Sequence, residues 1–199
     1  MKTKKLLLAI ILLYAVALAG CVGQAQWDAA LNQEQQGVKS VSTSMGQRTF
    51  DTGHDITIKA LINAFANKNL TVLTVEKDVG FVMAEGSQFL NNDALQNIYK
   101  ERNAKYGGVG MGKLIPNVKL KITTNLYEKE NNRTLIKMKI NTVHQYCMVF
   151  DGGTFKKWPF KKLEESKCPP PPKMVSLWYQ QLWDEIEKSI FMQRETILE

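Results

Sequence analysis

Val118-Lys119-Leu120-Lys121-Ile122 and Ile136-Lys137-Met138-Lys139-Ile140 alternate an apolar residue with a lysine at strict period two. Successive side chains of a β-strand point to opposite faces, so each stretch predicts a strand with one apolar and one lysine face. Glu128 to Arg133 is a polar connection between them. The pair therefore reads as two long antiparallel strands, the second running on to Phe150 and closed by Gly152-Gly153. An apolar face of that length needs a layer of helices to cover it.

The flanking sequence supplies that layer. Upstream, Leu70–Val75 and Gly80–Ala84 are apolar runs joined by Glu76-Lys77-Asp78, a hairpin with Gly80 at the turn exit. Arg48-Thr49-Phe50 predicts a short first strand, and Asp51 or Thr52 can cap the helix that follows. In that helix Ile58, Leu61, Ile62 and Phe65 recur at i, i+3, i+4 and i+7, and Asn67-Lys68-Asn69 ends it. Asn92 or Asp93 caps a further helix carrying Leu95, Ile98, Tyr99 and Arg102 on one side. Downstream, Pro169–Pro172 predicts a stiff extended segment, and Ser176 caps a last helix with the stripe Tyr179, Leu182, Trp183, Ile186 and Ile190. The order predicts an α+β fold: a single domain with an antiparallel β-sheet and helices packed on one face. Residues 22–47 are rich in Gln, Ser, Gly and Ala with little apolar periodicity, which predicts a flexible tether.

The first twenty residues read as an export signal. Lys2, Lys4 and Lys5 precede an apolar run from Leu6 to Ala19, too short to span a bilayer as a helix, which takes roughly 20 residues. Leu18-Ala19-Gly20-Cys21 resembles the bacterial lipobox. That resemblance implies cleavage before Cys21, a diacylglycerol on its sulfur and a further acyl chain on its new amine. The expected organisation is a lipoprotein signal peptide over 1–20, a lipidated N-terminus and tether over 21–46, and an α+β periplasmic domain over 47–194. Loss of the three lysines lowers the formal charge from +7 to +4. A mildly basic domain outside the cytoplasm favours anionic lipid surfaces or acidic proteins as partners, and no nucleic-acid motif is present. Val22 stands where an Asp often retains lipoproteins at the inner membrane, so the expected location is the outer membrane, facing the periplasm.

Few residues invite a chemical role. Cys147 and Cys168 remain after Cys21 is lipidated, either bridged as a disulfide or as two free thiols. Gly107 to Lys113 nearly spells a phosphate-binding loop, but Leu114 and Pro116 follow where a hydroxyl and a helix are required. Asp51, His54 and Asp55 at a helix start read as caps and dipole partners rather than ligands, and His144 stands alone. The expectation is a protein without catalytic residues, metal or cofactor. Lys119, Lys121, Lys137 and Lys139 fall on one sheet face, either a solvated surface or a patch for an anionic partner. Phe155-Lys156-Lys157-Trp158-Pro159-Phe160-Lys161-Lys162 interleaves rings with lysines. It reads either as a headgroup-touching surface, with Lys156, Lys157, Trp158, Lys161 and Lys162 in contact, or as a loop capping the sheet.

Phe50-Asp51-Thr52 before a helix, the hairpin ending Gly80-Phe81-Val82-Met83-Ala84, the Val/Lys strand pair and Tyr179-Gln180-Gln181-Leu182-Trp183 leading to Lys188-Ser189-Ile190-Phe191 together carry a family resemblance. Over residues 46–194 the chain resembles a family of uncharacterised Gram-negative outer-membrane lipoproteins. More distantly it resembles the helix-grip domains found in a lipoprotein component of the outer-membrane β-barrel assembly machine. The Gly-rich and Pro-rich segments depart from that pattern. The resemblance implies a helix-grip-like fold and an envelope location, with no catalytic signature. The function expected is a non-catalytic, membrane-anchored protein that binds or scaffolds an envelope partner. A carrier of lipid or another small hydrophobic ligand in a cavity under the last helix is the alternative, and an envelope enzyme a third.

Overall fold

A computed structural model describes residues 28–106, 118–143 and 169–198. Five strands form one antiparallel sheet in the order β1-β5-β4-β3-β2. They are β1 (Gln47–Phe50), β2 (Thr71–Glu76), β3 (Phe81–Ser87), β4 (Lys119–Lys129) and β5 (Arg133–Val143). Helices α1 (residues 28–45), α2 (His54–Asn67), α3 (Asn92–Tyr106) and α4 (Pro172–Leu198) complete the α+β domain.

The alternating strands pair along their whole length, from Lys119↔Val143 to Lys129↔Arg133. Their turn holds Asn131 and Asn132 at φ 62° and 55°, left-handed conformations that asparagine tolerates better than most residues. Leu120, Ile122, Leu126, Ile136, Met138 and Ile140 face inward, joined from β3 by Val82 and Ala84. Two threonines on this buried face have their hydroxyls satisfied: Thr124 donates to Val82 O and Thr134 to Thr52 O. The β2–β3 hairpin turns through Gly80 (φ +65°), whose carbonyl accepts from Leu126 N at 2.7 Å and so ties the turn to β4. A Cβ there would come within 2.6 Å of Leu126 O, so this position excludes a side chain twice over.

Helix α4 lies on the inner face with Met174, Trp178, Tyr179, Leu182 and Ile186 fully buried. Tyr179 also solves a problem of the sheet. β1 pairs with β5 only over Thr134–Lys137, which leaves the next part of the β5 edge without a strand. Gly46 O accepts from Met138 N, and the Tyr179 hydroxyl accepts from Ile140 N and donates to Met138 O. Burial pushes the Tyr179 hydroxyl pKa up, against smaller opposing effects of hydrogen bonds with Ser42 and Ile140.

Three expectations need correction. The expected tether over 21–46 is, from Asp28 onward, helix α1, and it belongs to the domain. Ala30, Leu31 and Glu34 are buried and Val38, Val41 and Met45 half-buried, spaced by threes and fours on one face. A buried polar residue holds that face in place. Arg102 Nε donates to Glu34 Oε1 at 2.8 Å and its Nη2 to Oε2, a two-pronged pair with both side chains 4% exposed. At the other end Met45 O, a terminal carbonyl of α1, accepts from Trp183 Nε1 at 2.7 Å. Gly37, unexpected inside a helix, lets α1 approach α4: a Cβ there would sit 2.6 Å from Pro172 Cγ.

The second correction concerns the prolines. α4 begins at Pro172, within the run expected to stay extended, and Ser176 lies inside the helix, donating to Met45 Sδ. Proline fits a first helical turn because the N–H it lacks has no intrahelical partner there. The third concerns caps. α2 starts after Gly53 without a side-chain cap, so neither Asp51 nor Thr52 fills that role, while Thr57 Oγ1 donates back to Gly53 O. For α3 the cap is Asn91, whose Oδ1 accepts from Ala94 N, rather than Asn92 or Asp93. Residues 144–168, with the expected strand extension, lie outside the described residues.

Candidate functional site: the open face of the sheet

The strand pairing places the outward side chains in rows across the sheet. Glu76, Phe81, Asn125, Lys137 and Gln47 form one row, and Thr74, Met83, Thr123 and Lys139 the next. Thr71, Glu85, Lys121 and Asn141 form a third, followed by Ser87, Lys119 and Val143. Toward the β4–β5 turn come Tyr127 with Leu135, then Lys129 with Arg133. All four lysines expected on one face are there: Lys119 and Lys121 on β4, Lys137 and Lys139 on β5.

Charge is unevenly spread over this face. The acids Glu76 and Glu85 stand on β2 and β3, whereas β4 and β5 carry Lys119, Lys121, Lys129, Arg133, Lys137 and Lys139. Lys119 Nζ donates to Glu85 Oε1 at 2.8 Å and is neutralised there. Lys137 Nζ lies 5.1 Å from the Tyr127 ring centroid, a cation–π contact that leaves its charge uncompensated. Lys121 stands directly opposite the same Glu85 across the β3–β4 pair, whereas Lys139 has no acidic partner among the described residues. Lys139 stands opposite Thr123 and Lys137 opposite Asn125, so neutral residues separate these cations across the β4–β5 pair.

Between the cations, Phe81, Met83 and Leu135 are half-buried and Tyr127 is 45% exposed. The lysine pattern does not single out these residues. Tyr127 and Leu135 continue the alternation of their strands, which is the signal that places them on this face; Met83 and Phe81 join it through the pairing of β3 with β4.

None of the other candidates among the described residues converges on it. Cys21, Cys147, Cys168, His144, the 107–113 glycine segment and the 155–162 stretch with Lys156, Lys157, Trp158, Lys161 and Lys162 lie outside the described residues. Asp51 and Asp55 are exposed at the start of α2, and His54 has its Nε2 against the Gly80 turn. Among the described residues, no group of three or more His, Cys, Asp or Glu side chains could hold a metal ion. No described helix is long and apolar enough to cross a membrane. A cavity of about 190 Å³ between α2 and α4 is lined by Asn67, Glu185, Lys188 and Met192 among others. Its carboxylate is already engaged, since Asn67 Nδ2 donates to Glu185 Oε1 at 2.8 Å and Lys68 Nζ lies 3.8 Å from Oε2.

No protein-family model matches the chain, and no curated protein matches it either.

Proposed function

We propose that this chain is a non-catalytic lipoprotein, anchored through Cys21 at the periplasmic face of the outer membrane, that presents its open sheet face to an anionic envelope partner. The observation that carries this reading is the excess of cations on a face that no described element of the domain covers, with Lys137 and Lys139 uncompensated and Glu85 shared between Lys119 and Lys121. Burial of a sheet's inner face is accounted for by its own helices, whereas the described residues leave the outer face uncovered. Against a carrier in a cavity under the last helix speaks the packing there: Trp178, Tyr179, Leu182 and Ile186 are fully buried against the sheet.

The start of α1 supports a partner close to the anchoring membrane. The chain is helical from Asp28, seven residues after Cys21. Seven residues reach at most about 25 Å when fully extended. A domain held that closely works at the surface of its own membrane.

The test has two parts. Cys21→Ala is expected to abolish uptake of labelled fatty acid and release the protein from membranes, because buried acyl chains contribute about 0.8 kcal/mol per CH₂. A photo-crosslinking residue at Thr123, in intact cells, is expected to give products that the same residue at Lys59 on α2 does not. Sedimentation of the Cys21 variant with membranes, or identical products from both positions, would reject the proposal.

A further inference from the structure

We infer that the occupant of the open sheet face is the anionic headgroup layer of the membrane itself, so that the domain lies sheet-down on the bilayer; this rests on the anchored reading above. Three observations converge on a lipid surface rather than an acidic protein. The first is composition. Five of the six cations on the β4–β5 half of the face are lysines, with Arg133 the exception. Lysine is depleted in the cores of protein–protein interfaces, where arginine and aromatic residues are enriched. It is well suited to headgroup phosphates, because its stem lies along the surface and its ammonium remains hydrated.

The second is shape. The face is one side of a continuous antiparallel sheet whose rows run unbroken from β3 through β4 to β5. The apolar residues between the lysines, Phe81, Met83 and Leu135, are already half-buried, so they offer a protein partner little further apolar area to bury. Tyr127, exposed beside Lys137, has the amphipathic ring that sits at headgroup depth. The third is proximity. With α1 folded from Asp28, the short link to Cys21 holds the domain beside the bilayer whatever else it meets. Attraction between the lysine face and anionic lipid then sets orientation, not attachment, which the acyl chains provide.

Amine footprinting of the full acylated protein tests this without a mutation. The protein is placed in nanodiscs of phosphatidylcholine alone or of phosphatidylcholine with phosphatidylglycerol, and acetylation rates of single lysines are read by mass spectrometry. On the anionic discs Lys121, Lys137 and Lys139 are expected to react about fivefold more slowly than on neutral discs, the factor corresponding to the attraction of one lysine to an anionic surface. The exposed Lys59 and Lys188 on the helical layer are expected to react equally on both. Raising salt from about 0.15 M to about 1 M shortens the screening length from about 8 to about 3 Å and is expected to remove the difference. Equal rates on the two discs, or slowing that includes Lys59 and Lys188, would overturn the inference. So would protection of the sheet lysines in intact cells with none on anionic discs, because the occupant would then be an acidic protein. The same digests report the Cys21 peptide: an unmodified peptide overturns the anchored reading, whereas an acylated one with equal rates overturns this inference alone.

Discussion

Replacing Glu34 by Ala tests whether α1 is part of the fold. The change removes the partner of Arg102 and leaves a guanidinium buried, 4% exposed, between α1 and α3. Breaking one side of a buried ion pair costs about 3–5 kcal/mol, because the remaining charge has lost its solvent and its counterion together. Domains of this kind have total stabilities of about 5–15 kcal/mol, so the loss is a large share of the whole. The same helix α3 offers an internal control. Lys173 Nζ lies 2.6 and 2.7 Å from the two Glu101 carboxylate oxygens, but the side chains are 55% and 59% exposed. Glu101→Ala should cost at most about 1 kcal/mol, since water and salt screen an exposed pair. Distance alone would rank the two pairs together; burial separates them. Replacing both partners, Glu34→Leu with Arg102→Met, should recover most of the loss or exceed the wild type, since no buried charge remains. The assay is urea unfolding of the mature chain, followed by far-ultraviolet circular dichroism and tryptophan fluorescence, as a double-mutant cycle. A Glu34→Ala stability within about 0.5 kcal/mol of wild type, the usual range for a surface change, would refute the docking of α1 and restore a tether.

Trp183→Ala should destabilise by roughly 3–5 kcal/mol, since the side chain is buried, lies 6.0 Å from the Phe50 ring and donates to Met45 O; an unchanged unfolding midpoint would show otherwise. Gly37→Ala sets helix propensity, worth about 1 kcal/mol, against the 2.6 Å approach to Pro172, whose overpacking costs about 1–3 kcal/mol. Net destabilisation in urea is expected, and stabilisation would mean that α1 does not pack on α4 there. Alkaline pH should destabilise the domain. Burial raises the pKa of Tyr99, partly offset by the nearby Arg102 charge, and raises that of Tyr179, both from an ordinary value of 10.0. The native state thus keeps phenolic protons that the unfolded chain releases, so this stability is complete below about pH 10 and is lost as pH rises through the raised folded values. Urea midpoints at pH 9 and pH 11 should differ more for wild type than for Tyr99→Phe with Tyr179→Phe; equal differences would contradict the assignment.

The alternation of apolar residues with lysines determined by itself the two long strands, their apolar face and the location of the four lysines. Period two has a single backbone solution at that length, and a one-residue slip would bury every lysine. The stripes of α2 and α4 and the left-handed Asn69 (φ 56°) that ends the first of them were legible for the same local reason. α1 was not. Its inward face carries Glu34, and Gly37, Ser40, Ser42, Thr43 and Ser44 are poor helix formers, so composition pointed to a tether. Only Arg102, 68 residues away, makes burial of Glu34 tolerable, and only Pro172 gives Gly37 a purpose. The candidate site shows the same division. Which side chains point outward follows from the strand period, but which lysines remain uncompensated depends on the β3–β4 register that sets Glu85 opposite Lys121 and within reach of Lys119 and leaves Lys137 and Lys139 without an acid. Pairing between residues far apart in the chain is decided by the packed core as a whole, and no local pattern in either partner records it.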